Sequence, residues 1–92
     1  MKNDIQQILV LFLHFNETAF GGPCLIRTIY REGQKASCYV ENKKKEIYNI
    51  EIVDYGQMVC IEKVLLCATK YGIETHEMPL YYFNHLSQKM NY

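Results

Sequence analysis

Apolar positions along this chain fall into three stretches separated by Gly21-Gly22-Pro23 and by the region around Gly72. In the first, Ile5, Ile8, Leu9, Phe12 and Phe15 recur near helical spacing, with Asp4 placed as an N-cap, which predicts a helix ending before Gly21. A strand is the competing reading, because Ile8 and Val10 are β-branched and the run Ile8 to Phe15 is apolar all round. In the middle stretch the period changes to two. Cys24 to Ile29 leads through a turn at Arg31-Glu32-Gly33 into Ala36 to Glu41, where Ala36, Cys38 and Val40 alternate with Ser37, Tyr39 and Glu41. That alternation predicts a hairpin. After a turn at Asn42 to Lys45, Tyr48, Ile50 and Ile52 face one side and Asn49, Glu51 and Val53 the other. Gly56 permits a further reversal into a fourth strand, Gln57 to Ile61. Glu62 to Leu66 is expected as a helical turn before a short closing strand around Cys67.

The predicted fold is therefore mainly β: a small, strongly bent barrel of the Tudor/SH3-like kind, with 4–5 antiparallel strands, an N-terminal helix and a short C-terminal extension. Residues 1–20 form the flanking helix, 21–70 the barrel and 71–92 an extension packing on it. That extension carries Pro79 and the aromatic run Tyr81-Tyr82-Phe83, and its polar end, Ser87 to Asn91, is expected to fray.

Composition narrows the function. With 92 residues, 49% hydrophobic and 22% charged, the chain supports one folded domain. Its basic and acidic side chains cancel, whereas a nucleic-acid-binding domain carries a clustered positive excess, so nucleic acid is not an expected partner. Lys43-Lys44-Lys45 is flanked by Glu41 and Glu46 and reads as a solvated hairpin tip. Cys24, Cys38, Cys60 and Cys67 lack metal-ligand spacing and read as reduced thiols of an intracellular protein, with no metal and no cofactor expected. The apolar run Ile8 to Phe15 has about half the length of a membrane span. His14, His76 and His85 are scattered. A Cys60–His76 pair is the one conceivable nucleophile arrangement, and structural roles for both residues are favoured over catalysis.

Gly22-x-Cys24-Leu25 opening a strand, Gly33 in the next turn, Val53-Asp54-Tyr55-Gly56 closing the third strand, Val64-Leu65-Leu66 after the fourth, and Met78-Pro79 beyond it resemble the Tudor family, in its extended germline form, over roughly residues 20 to 86. The V-D-Y-G element is the most specific of these. The resemblance implies a non-catalytic module that reads methylated arginine or lysine in a cage of converging rings, where a weakly hydrated cation lies against aromatic faces. Carried over by position, the cage falls at Thr28, Ala36, Ile52 and Tyr55, with Gln57 in place of the usual asparagine. Only Tyr55 is aromatic, and a lone exposed ring is worth about 0.5–1 kcal/mol, too little to select a methyl mark. Tyr30 shares a strand face with Thr28, whereas Tyr39 lies on the face opposite Ala36. The family's arginine partner for Asp54 falls at Ser37, which leaves Asp54 without it.

What the resemblance implies is an adaptor in piRNA-guided silencing, cytoplasmic or in a perinuclear germ granule, that engages an Argonaute/PIWI-class protein with little dependence on methylation. Tyr30, Asp54, Phe12, Phe15, Tyr81, Tyr82 and Phe83 are the candidate interface residues. One alternative is a methylarginine reader with an unusual cage of Tyr30, Tyr55 and Tyr48. Another is a homodimerisation domain built on the N-terminal helix and the tail aromatics.

Overall fold

The computed structural model describes residues 5–83; Asp4, His85 and the polar end at 87–91 lie outside the described residues. The elements run α1 (Ile5–Phe15), α2 (Glu17–Phe20), β1 (Cys24–Glu32), β2 (Lys35–Asn42), β3 (Ile47–Asp54), β4 (Val59–Thr69), β5 (Gly72–Met78) and a single 3₁₀ turn, Leu80–Tyr82. The five strands make one antiparallel sheet in the order β1-β2-β3-β4-β5. Among the described residues β1 and β5 do not pair with each other, so the mainly β fold is as expected but the sheet stays open instead of closing into a barrel.

The helical pattern of the first stretch prevails over its β-branched residues because five of its apolar side chains, Ile5, Ile8, Leu9, Phe12 and Leu13, bury along one stripe. The helix breaks at Asn16, whose side-chain amide donates to the Phe12 carbonyl at 2.8 Å. A second short segment ends at Gly21, in the left-handed region with φ 76°. There Gly21 N–H donates to the Thr18 carbonyl at 3.2 Å and Gly22 N–H to the Glu17 carbonyl at 2.7 Å, the paired bonds of a Schellman stop.

One sheet face forms the core. Ala36, Cys38 and Val40 of β2, Tyr48, Ile50 and Ile52 of β3, and Ile61 and Val64 of β4 are buried with the α1 stripe. An aromatic knot ties the pieces together. Phe20 lies 5.9 Å from Phe12, 5.0 Å from Tyr48 and 5.2 Å from Phe83, centroid to centroid. Phe12 and Phe83, expected at an interface, are instead core residues that clamp α1 to the chain beyond β5.

Two expectations for the second half are corrected. No helical turn forms at Glu62 to Leu66, because β4 is one continuous strand of 11 residues. A bulge at Glu62 sets Ile52 against Ile61 but Glu51 against Lys63, so Ile61 and Val64, three residues apart, both face inward. That spacing imitates a helix. Residues 72–78, read as the start of an extension, add β5 to the sheet along β4. Among the described residues no helix is long and apolar enough to cross a membrane.

Candidate functional site: the β3–β4 rim and the outer sheet face

The V-D-Y-G element closes β3 in a turn organised by Asp54. One carboxylate oxygen of Asp54 accepts the Gly56 N–H at 2.8 Å, an Asx turn that Gly56 completes at φ 90°. The other oxygen accepts from Arg31 Nη2 at 3.2 Å, and Arg31 Nε donates to the Gly33 carbonyl at 3.0 Å. The Asp54 N–H donates to the Gln34 carbonyl at 2.8 Å. The β1–β2 and β3–β4 turns are thus stapled side by side. Asp54 does have an arginine partner, supplied by the end of β1 and not by position 37. Ser37 instead accepts a hydrogen bond from the Asn49 amide at 2.9 Å.

Tyr55 stands at this rim, about half exposed, with its N–H donating to the Met58 carbonyl at 2.8 Å. Its hydroxyl reaches the Glu62 carboxylate at 3.4 Å. The negative charge of Glu62 is the main cause of a raised tyrosine pKa, with desolvation and Cys60 adding to it. Gln57 is exposed in the same turn.

The remaining cage-equivalent positions do not surround Tyr55. Ala36 and Ile52 sit opposite each other across β2 and β3, and both belong to the buried core. Thr28 pairs with Tyr39 on the outer face. Tyr48 lies on the inner face, edge-on to Phe20, its hydroxyl donating to Glu46 at 3.1 Å, and burial comes first among the causes that raise its pKa. A cage of Tyr30, Tyr55 and Tyr48 would draw on both faces of the sheet.

The outer face has a different composition. Register places Tyr30, Ser37, Glu51 and Lys63 in one row across β1 to β4, and Thr28, Tyr39, Asn49 and Leu65 in the next. Tyr30 is 66% exposed and Tyr39 36%. Tyr30 borders a recess of about 220 Å³ together with Glu32, Lys35, Ser37 and Glu51, and the recess also touches Ala36 and Ile52. One ring and two carboxylates can hold a cationic side chain weakly, but the Lys35 ammonium competes in the same space. Glu32, two residues beyond Tyr30, was within reach of strand parity, whereas Glu51 flanks Tyr30 only through the register across Ser37.

Of the other candidates, Phe15, Tyr81 and Tyr82 are exposed, and Tyr81 and Tyr82 stack edge to face at 5.3 Å. With Phe12 and Phe83 withdrawn into the core, the apolar patch expected for a dimer is smaller. Cys60 and His76 are held apart: Cys60 pairs with Val53 and His76 with Leu66, which is six residues further along β4, or about 20 Å. All four cysteines are free thiols, and burial raises Cys24 and Cys38 to about 11, leaving both protonated at neutral pH. Among the described residues no three His, Cys, Asp or Glu side chains cluster with metal-holding geometry.

The fold and rim define a helix-capped, open five-stranded antiparallel sheet with a stapled turn pair at one end. No family model, no curated protein and no solved structure matches the chain.

Proposed function

We propose that this chain is a non-catalytic, Tudor-like protein-interaction module that engages a protein partner through the outer sheet face and the adjoining Tyr55 rim, with little dependence on arginine methylation. The observation that carries this reading is the distribution of rings. Tyr30 and Tyr39 are exposed on the outer face, Tyr55 is at the rim, and Tyr48 is turned into the core, so among the described residues these four rings do not converge on one point. Exposed tyrosines on a rigid sheet give broad contact area at low entropic cost, which suits a protein surface better than a methyl mark. The narrower assignment, an adaptor for an Argonaute/PIWI-class or granule protein in germline piRNA silencing, rests on the V-D-Y-G resemblance and its spacing.

Calorimetric titration with matched arginine-glycine peptides, unmethylated and symmetrically dimethylated, tests this. Affinities within about fivefold of each other are expected, since one ring contributes at most about 1 kcal/mol. Binding of the methylated peptide alone would overturn the reading and restore a working cage. Tyr30→Ala and Tyr39→Ala, on exposed positions, are expected to weaken a full-length partner without unfolding the domain.

A further inference from the structure

We propose that the free edge of β1 accepts an extended segment of a partner protein as an added strand, and that this segment alternates apolar and acidic side chains. The site is separate from the outer-face reading and stands whether or not that reading holds.

Residues Cys24–Arg27 of β1 lie along an edge that pairs only with β2 among the described residues. Their side chains alternate. Cys24 and Ile26 pack toward the core, while Leu25 is exposed opposite Glu41 and Arg27 bonds Glu41 at 2.8 Å on the outer side. Each side of this short edge opens into its own recess. On the inner side a space of about 220 Å³ is walled by Val10 and Leu13 of α1 with Pro23, Cys24 and Ile26, and His14 and Glu17 border it, 3.8 Å apart. On the outer side a space of about 360 Å³ is bounded by Leu25, Arg27, Glu41, Lys43 and Lys45.

A strand added here would send alternate side chains into the two recesses, because it shares the pleat of β1. The inner set meets Val10, Leu13, Pro23 and Ile26, and the Glu17 carboxylate beside them disfavours a second acid, so this side calls for apolar residues. The outer set meets cations: Arg27 and Glu41 neutralise each other, whereas Lys43 and Lys45 form no ion pair among the described residues. That side therefore favours carboxylates. The lysine-bearing turn is also held in shape. Asn42 Oδ1 accepts the N–H groups of Lys44 and Glu46 at 3.0 Å, and Lys45 adopts φ 68°. A preorganised turn loses less entropy when a ligand binds.

The two edges of the sheet differ in the same sense. The β5 edge presents Glu74 and Glu77, which repel an acidic strand, and a bulge where Leu66 and Ala68 face His76 and Ile73 kinks it. The bulge in β1 falls at Arg27, directly after the regular stretch Cys24 to Ile26 that both recesses flank. Lysines alone would suit nucleic acid as well, but the aliphatic groove and the free strand edge favour peptide.

The test is an amide-resolved NMR titration of the chain with a blocked peptide of alternating valine and glutamate, about five residues long to span Cys24 to Arg27. Controls are an alternating valine-lysine peptide, an oligoglutamate and a single-stranded oligothymidylate. Shifts are expected at Cys24 to Arg27, around Val10 and at Lys43 to Lys45. The Lys43→Glu/Lys45→Glu double variant should weaken the dissociation constant by about tenfold. Val10→Asp should abolish binding while preserving the dispersed spectrum, since Val10 is 48% exposed. Methylating alternate backbone nitrogens of the peptide should abolish binding in one of the two possible registers only. The proposal is overturned if the valine-glutamate peptide leaves these amides unmoved at millimolar concentration. It is equally overturned if oligoglutamate or oligothymidylate binds as tightly, or if backbone methylation has no effect in either register.

Discussion

The inner and outer faces of this sheet come from the same strands, yet they do different work. On β2, Ala36, Cys38 and Val40 point into the core while Ser37 and Tyr39 point out; on β3, Ile50 and Ile52 point in while Glu51 points out. A strand has only two directions for its side chains, so each residue serves the fold or the surface. Over β2 to β4 the inner face is covered by the helical stripe and the Phe12–Phe20–Phe83 cluster, and it opens beside Cys24 and Ile26 of β1. The outer face has no such cover among the described residues, and its exposed tyrosines, carboxylates and lysines are where recognition has room to act. Val53, 8% exposed, and Asn49 are exceptions on β3. Asn49 is 5% exposed on the outer side, with its amide donating to Ser37 Oγ and to the Cys38 carbonyl.

The widest separation between the faces should come from removing an inner ring. Phe20→Ala leaves a cavity at the centre of the aromatic knot and is expected to cost about 3–5 kcal/mol, much of the stability of a domain this size. Tyr30→Ala on the outer face is expected to stay within about 0.5 kcal/mol of the parent. Urea unfolding of both variants checks the pair, and comparable losses would contradict the division between faces.

Next in size is Asn42→Ala. The Asn42 side chain donates to the Phe20 carbonyl and to Glu46, and accepts from the Lys44 and Glu46 N–H groups. It joins the end of α2 to the β2–β3 turn. Removing it leaves buried groups unpaired and should cost about 2–3 kcal/mol. Hydrogen exchange should show faster opening at α2 and at Lys44 to Glu46 than in β3 and β4. Uniform acceleration across the sheet would argue against a local role.

A smaller effect is expected at the rim. Arg31 is half exposed, so its pair with Asp54 should couple by under about 1 kcal/mol in a double-mutant cycle. Asp54→Ala should cost more than Arg31→Ala, because it also loses the Gly56 bond of the Asx turn. Equal losses would mean that the ion pair alone holds the turn.

The difference between the faces also explains what the sequence discloses. Alternation in β2 and β3 was legible because Ala36, Cys38 and Val40 on one strand and Tyr48, Ile50 and Ile52 on the other mark the buried side, and that alone orients Tyr39, Ala36 and Ile52 correctly. In β4 the bulge at Glu62 breaks the period, so Ile61 and Val64 take on helical spacing. In β5 every residue from Gly72 to Glu77 is exposed, so no buried side exists to reveal a strand. Burial of Phe12 and Phe83 was equally hidden, because aromatic residues look alike in sequence whether they meet each other or a partner. The Arg31–Asp54 staple spans 23 positions and depends on two turns lying side by side, which only the register supplies.

The last and smallest effect is absent at neutral pH and appears only in alkali. Burial raises Cys38 from 9.0 to about 11, and burial followed by the Glu17 charge raises Cys24 to about 11. In the unfolded chain both thiols ionise near their ordinary value. Between pH 9 and 11 the unfolded state therefore holds fewer protons than the folded one, and stability falls as pH rises. Below pH 9 both states are protonated and this contribution is constant. The urea midpoint should be level from pH 7 to 8.5 as far as these thiols act, then decline toward pH 11, with Tyr48 adding to the decline at the upper end. Cys38→Ala lowers the midpoint at every pH, because it opens a cavity on the inner face. It should nevertheless make the alkaline slope shallower than in the parent, and an unchanged slope would show that the Cys38 thiol is not held protonated by the core.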